Sequence, residues 1–262
     1  MKILVSAKRV TDPDARIRLK SDLSGIQSEG LEFKLNPFCE NAVEEAIRLR
    51  DSQGGEIVAV SIGTDDAATE LRRALAMGAD RAIRVAGNDA ELDSDLVARV
   101  FVKIIQAEKP DLVIFGKQAV DGDSNQVAQL VAEYLGWGQA CFVSHPEGSA
   151  GMTSQNPGLK VANGKVVAMR EVDGGAEIVE VDLPAVVSAD LRLNEPRLPT
   201  LPNIMKAKRK PLDEKTFADF GVTPNVKVKT VRYANPPERK AGIKVADVDQ
   251  LLDKLTNEAK VL

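Results

Sequence analysis

The densest chemistry in the chain lies in twelve consecutive residues: Gly116, Lys117, Gln118, Ala119, Val120, Asp121, Gly122, Asp123, Ser124, Asn125, Gln126 and Val127. They follow a fully apolar run at 112–115 and lead into apolar spacing of helical type, so small and polar residues occupy a strand-to-helix turn. At such a helix start the backbone N–H groups of Asn125, Gln126 and Val127 lack intrahelical acceptors, and the macrodipole adds positive potential; a phosphate suits both. Equally, residues 121–125 could merely cap the helix. The loop is neither a Walker loop nor GxGxxG, so it supports neither ATP hydrolysis nor a dinucleotide fingerprint.

Three other segments are expected at the same edge, because open α/β sheets bind ligands beyond the carboxyl ends of their strands. One is the end of the first strand, Val5-Ser6-Ala7-Lys8. The second is the helix start Asn36, Pro37, Phe38 and Cys39, and the third is Ser61-Ile62-Gly63.

No nucleophile elbow, metal-ligand spacing or paired base emerges elsewhere. His145, the single histidine, precedes Pro146 in a loop-like stretch and reads as a surface residue. The basic cluster of Lys206, Lys208, Arg209 and Lys210 has no interleaved aromatics in a chain of net charge −4, so a partner-facing arm is favoured over a nucleic-acid surface.

The elements that must position these residues alternate strand-like and helix-like patterns, the mark of βαβ units. Residues 3–10 read as the opening strand, with a hairpin near Ser24-Gly25. Asn36 reads as N-cap and Pro37 as the first helical residue; Ala42, Val43, Ala46 and Ile47 then share one face. Strands follow at 57–62 and 81–85, separated by a helix over 67–77 that stops at Gly78. A helix through Leu96, Val100, Phe101 and Ile104 ends before Pro110, and the next places Val127, Leu130, Val131, Tyr134 and Leu135 on one side. Strands are predicted at 160–169 and 177–181 around a tight turn at Asp173-Gly174-Gly175, and at 184–189.

From residue 192 prolines break any regular pattern until a last helix through Val248, Leu251, Leu252 and Leu255. Charge shifts at the same point: residues 192–244 hold 13 Lys and Arg against 5 Asp and Glu, whereas residues 1–191 hold 20 against 30. The expected fold is therefore α/β, a Rossmann-like, mostly parallel sheet with helices on both faces, plus an extended C-terminal arm ending in a helix. Residues 1–191 would be a nucleotide-binding domain. Residues 192–262 would be an arm that cannot easily form its own core and so wraps a partner.

At 262 residues and 44% hydrophobic the chain can bury a real core. Its two cysteines suit neither a disulfide framework nor a metal site, and a reducing compartment is expected. No basic leader or apolar stretch of about 18 residues is evident. Bacterial cytoplasm is the expected location, with the mitochondrial matrix as the alternative, and the chain should not be membrane-embedded.

Three stretches together resemble the electron transfer flavoprotein beta subunits, over nearly the whole chain. The most specific is residues 168–188, AMREVDGGAEIVEVDLPAVVS, which is similar to the family's signature. Next is Leu193-Asn194-Glu195-Pro196-Arg197 leading into Thr200, Leu201, Pro202, Asn203, Ile204, Met205 and Lys206, which resembles the loop that recognises partner dehydrogenases. The third joins Asn36-Pro37-Phe38-Cys39-Glu40, Ala74-Leu75-Ala76-Met77-Gly78-Ala79-Asp80 and Gly116-Lys117-Gln118, which resemble the nucleotide-binding half.

The resemblance implies an electron carrier without substrate turnover of its own. It also implies a heterodimer with an alpha subunit that holds most of the FAD, while this subunit holds AMP structurally. Electrons would come from acyl-CoA dehydrogenases and pass to a membrane quinone oxidoreductase. Carried over by position, the AMP contacts would be Ser6, Asn36 to Cys39, Ile62 and Gly116 to Val127, with Phe38 also near the flavin and Leu201 as the apolar docking anchor. Two departures stand out: Val127 replaces a hydroxyl side chain of mitochondrial members, and Ile62 replaces a cysteine. A bifurcating relative with a second FAD in the AMP position, or a free-standing adenine-nucleotide-binding regulatory domain, are the rival readings.

Overall fold

The structure is a computed structural model that describes residues 1–145, 158–239 and 241–262. Apolar runs such as Ile3-Leu4-Val5 and Leu112–Gly116 form strands because both faces of a parallel sheet are covered. In chain order these are β1 (Lys2–Ser6), β2 (Arg9–Thr11), β3 (Phe33–Leu35), β4 (Glu56–Gly63), β5 (Arg81–Ala86), β6 (Leu112–Gly116) and β7 (Gly138–Val143). The later strands are β8 (Leu159–Ala162), β9 (Lys165–Val172), β10 (Gly175–Asp182), β11 (Ala185–Ala189) and β12 (Leu212–Lys215). The helices are α1 (Pro37–Gln53), α2 (Ala67–Met77), α3 (Ser94–Glu108), α4 (Val127–Leu135), α5 (Leu201–Ala207) and α6 (Val248–Asp253).

Ten strands make one sheet in the order β10-β9-β7-β11-β6-β1-β4-β5-β12, with β8 also on β9. Pairing is parallel from β7 through β11, β6, β1, β4 and β5 to β12. It is antiparallel around β9. Side chains alternate between faces. Ile3, Val5, Ile57 and Ile114 pack with residues of α1 and α2, whereas Leu4, Val58, Val113 and Phe115 pack with residues of α3 and α4. The expected Rossmann-like α/β sheet with helices on both faces is thus observed.

Several local expectations change. The strand expected over 3–10 ends at Ser6. Ala7 N donates to Val60 O, and Lys8 O accepts from Asn36 N. The chain then resumes as β2, paired with β3 in a separate two-stranded sheet. The strand expected over 160–169 is the hairpin β8–β9, because Asn163 and Gly164 both take positive φ. The expected tight turn joins β9 to β10. In α4 the buried residues are Ala128, Val131 and Ala132, while Tyr134 on the predicted stripe is 42% exposed.

The segment after 192 is more ordered than its prolines imply. Thr200 caps α5 and Pro202 sits in the first turn, where a missing N–H costs nothing. The stretch resembling a recognition loop is therefore helical. β12 then joins the sheet edge beside β5. Buried Leu193, Ala207 and Val222 pack into the two cores.

The chain forms two compact units: residues 1–17 with 28–230, and residues 18–27 with 231–262. In the second, Leu19 bridges Ile26, Tyr233 N donates to Leu23 O at 2.9 Å, and α6 is capped by Asp247. Among the described residues no helix is long and apolar enough to cross a membrane.

Candidate functional site

β1 lies between β4 and β6, so successive strands leave it in opposite directions and a crevice opens beyond its carboxyl end. A cavity of about 260 Å³ lies there, close to the lower end of small-molecule sites at about 300 Å³. Part of its lining is apolar: Ile62, Leu92, Val97, Phe101 and Phe115. Phe101 and Phe115 meet edge to face, 4.9 Å between centroids, which fixes both rings. The polar loop between β6 and α4 lines it as well.

That loop is tied down at every turn. Asn36, the residue before α1, makes no side-chain cap to its own helix. Instead its Nδ2 donates to Gln118 O at 2.8 Å, and its Oδ1 accepts from Val120 N at 3.2 Å. Gly116 N donates to Ser6 Oγ at 3.2 Å, and Lys117 N donates to Ala189 O at 2.9 Å. Gln118 Nε2 donates to Asp123 Oδ1 at 2.8 Å, and Lys8 Nζ reaches both oxygens of Asp121 at 2.8 Å. Asp123 and Asn125 each hold φ of 48°, a left-handed conformation that Asp and Asn tolerate better than most residues.

Only glycine fits at 116. A Cβ there would lie 2.8 Å from Phe38 C and 2.9 Å from Cys39 N, both backbone atoms that cannot swing aside. The close approach brings the end of β6 against the start of α1, so the two loops form one wall.

α4 opens into this cavity without a cap. Gln126 precedes it, its side chain makes no cap hydrogen bond, and the first turn carries no acidic residue. By contrast, Asp93 accepts from Leu96 N at the start of α3. An uncapped helix start lining a cleft leaves backbone donors and a positive dipole end for an exogenous anion.

The structure gathers most of the predicted site residues here: Ser6, Asn36, Cys39, Ile62, Gly116 to Ala119 and Asp121 to Val127 all line the cavity. Pro37, Phe38 and Val120 do not; Phe38 is 7% exposed, and Val120 contributes the N–H bound by Asn36. The unpredicted wall is Asp89, Leu92, Asp93, Ser94 and Val97. It follows β5, whose parallel orientation carries its exit loop to the same edge, and that orientation was the available signal.

Leu201, Pro202, Asn203, Ile204, Met205 and Lys206 lie elsewhere, on α5. Leu201 is 73% exposed, Met205 56% and Ile204 42%. Both ends of this helix are anchored. On the C-terminal side Arg72 Nη1 donates to Ala207 O at 2.8 Å and Lys210 O at 2.7 Å. Lys210 Nζ in turn donates to Leu75 O and Ala79 O around the end of α2; desolvation pushes this ammonium down despite Asp80 nearby.

On the N-terminal side the buried Asn41, Glu44 and Glu45 of α1 hold residues 191–197. Asn41 Nδ2 donates to Asn194 O at 2.7 Å, and Asn194 Nδ2 donates to Glu45 Oε2 at 2.9 Å. Arg197 grips Glu44 with Nε and Nη2 at 2.8 and 3.1 Å. Burial alone would raise the Glu44 carboxyl, but Arg197 and Arg48 hold it below its ordinary value. Among the described residues no cation bonds Glu45, and burial pushes it up against the opposing Asn194 hydrogen bond.

Comparison with known proteins agrees with this architecture. A family model described as the electron transfer flavoprotein domain matches residues 25–220. The chain is 46% identical over 263 residues to the electron transfer flavoprotein subunit beta of Bradyrhizobium diazoefficiens, covering 100% of both chains. It is 44% identical over 265 residues to the mitochondrial subunit beta of Arabidopsis thaliana, again covering 100% of both. With the human subunit beta it shares 44% identity over 265 residues, 100% of this chain and 99% of the human one. The chain belongs to the family of electron transfer flavoprotein beta subunits.

Proposed function

We propose that this chain pairs with an alpha subunit to form an electron-carrying heterodimer, in which the cleft at the end of β1 holds AMP as a structural ligand. The observation that carries the nucleotide assignment is the uncapped start of α4 opening into a cavity whose lining also includes apolar and aromatic side chains. The apolar side chains of the lining suit a purine, and the backbone N–H groups of residues 125–127 at the helix start suit one phosphate. Val127 offers its backbone N–H but no hydroxyl, so the phosphate would be held there by main chain alone.

FAD, held mainly by the alpha subunit, supplies the electron-transfer chemistry when bound. This chain's own residues bind, orient and exclude water: Asn36, Ser6 and Gly116 fix the cleft wall, and Phe38, buried outside the cavity lining, would lie toward the flavin side. The exposed apolar residues of α5, Leu201 foremost, would dock donor dehydrogenases of the acyl-CoA class. Electrons would leave to a membrane quinone oxidoreductase, and this chain turns over no substrate itself.

Co-expression with the alpha subunit tests the reading. A yellow complex carrying one flavin and releasing one AMP on denaturation is expected. Two flavins and no AMP would instead mark a bifurcating carrier. A colourless chain with no nucleotide and no affinity for the alpha subunit would refute the assignment.

A further inference from the structure

The charged side chains of the cleft do not favour an anion. Two cations line it, Lys8 and Lys117, against four carboxylates, Asp89, Asp93, Asp121 and Asp123. Both cations are already engaged. Lys8 holds both oxygens of Asp121 at 2.8 Å, and Lys117 donates to Asp190, 9% exposed at its side chain, at 2.9 Å. Asp93 is bonded to the backbone of Leu96, Lys227 and Val228. Asp89 sits within electrostatic reach of Lys8, Asp121 and Arg9 and makes no side-chain hydrogen bond among the described residues.

What attracts a phosphate is therefore the α4 start alone, a set of neutral N–H groups backed by about half a positive charge. That source offsets only part of the charge of about −2 on a single phosphate and leaves nothing for a further one. A second or third would each bring roughly one more negative charge to a cleft whose two lining ammonium groups, Lys8 and Lys117, are both already paired with carboxylates. Lys8 cannot serve the longer chain without abandoning Asp121, and doing so would leave that carboxylate exposed to the same phosphates.

We infer that the Lys8–Asp121 pair, with Asp89 beside it, is a charge filter that admits nucleoside monophosphates to the cleft and rejects di- and triphosphates. The inference rests on the nucleotide-binding reading above and adds the residues that set its selectivity. Each unit of excess charge at the rim should weaken binding on the order of tenfold at low salt and less as salt screens it.

The heterodimer, stripped of nucleotide, can be titrated calorimetrically with AMP, ADP and ATP at low and high salt. The wild type should prefer AMP to ADP by about tenfold or more, with ATP weaker still. Asp121→Asn frees Lys8 and removes a carboxylate. Asp89→Asn removes one while leaving the Lys8–Asp121 pair in place, which guards against a loop disturbed by the first variant. Each should shrink the AMP-to-ADP ratio roughly fivefold and flatten its salt dependence. ADP binding the wild type as tightly as AMP, or both variants keeping the wild-type ratio while AMP still binds, overturns the filter and leaves the nucleotide reading standing. If none of the three nucleotides binds the wild type, the nucleotide reading falls and the filter with it.

Discussion

Replacing Asn36 with alanine is the most direct perturbation of the cleft wall. Asn36 is 1% exposed, and its backbone N–H is bonded to Lys8 O at 2.9 Å. Its side chain therefore starts from a fixed point, and its carboxamide satisfies Gln118 O at 2.8 Å and Val120 N at 3.2 Å. Truncation strands both backbone groups. A buried group left unpaired costs about 1–3 kcal/mol, but Gln118 and Val120 are only half-buried, so water recovers part. The expected loss is about 2–3 kcal/mol, or a fall in melting temperature of about 4–12 °C for a domain of this size. AMP retention should drop in parallel, because the loop holding the α4 start loses two of its ties. Urea unfolding and nucleotide content of the purified heterodimer measure both. Asn36→Asp sharpens the test: it keeps the acceptor for Val120 N but sets a carboxylate against Gln118 O, so it should be as damaging at neutral pH and milder on acidification. If Asn36→Ala costs under about 0.5 kcal/mol and AMP content is unchanged, the clamp does not organise the cleft.

Gly116→Ala should destabilise by about 1–3 kcal/mol and loosen AMP, read by urea unfolding and nucleotide release, since its Cβ would press on the Phe38 and Cys39 backbone. Glu45, raised by burial, stabilises the fold only while protonated; that contribution is complete below the unfolded-chain value of about 4.3 and is lost as pH rises through the higher folded value. Glu45→Gln should accordingly raise the urea midpoint at pH 7 and lose its advantage below about pH 4. Glu44, held low despite burial by Arg197 and Arg48, behaves oppositely: Glu44→Gln should lower stability at pH 7, with the deficit closing as pH falls through the depressed folded value. Leu201→Ala, at a 73% exposed position, should change stability by no more than about 0.5 kcal/mol and leave the flavin spectrum intact, yet slow electron transfer from a donor dehydrogenase; unchanged partner kinetics would count against docking through α5.

The parallel strands were legible because burial on both faces writes itself as continuous apolar runs, as at Ile3-Leu4-Val5 and 112–115. The site loops followed, since strand direction alone sends Ser6, Ile62 and Gly116 to one edge. Less visible was whatever depends on backbone pairing or on side chains reaching far along the chain. β12 reads Leu-Asp-Glu-Lys and has one half-buried residue; an edge strand held by main-chain bonds to β5 leaves no hydrophobic trace. α5 was hidden by a proline that is harmless in a first turn. The break after Ser6 had no local marker, because it is imposed by bonds to Val60 and Asn36. Asn36 itself carried a capping signature, but the backbone groups its side chain binds lie 82 and 84 residues away.

The two anchorages of α5 carry a consequence for recognition. The short helix resembles a plank resting on two piers, Arg197 on Glu44 at one end and Arg72 with Lys210 at the other. Whatever settles on its apolar upper side meets a surface already immobilised. Binding there forgoes little loop-ordering entropy, about 0.5–1.5 kcal/mol for each side chain that need not be frozen on contact. Rapid, short-lived encounters, which the proposed carrier role calls for, are easier from such a prepared platform than from a mobile one.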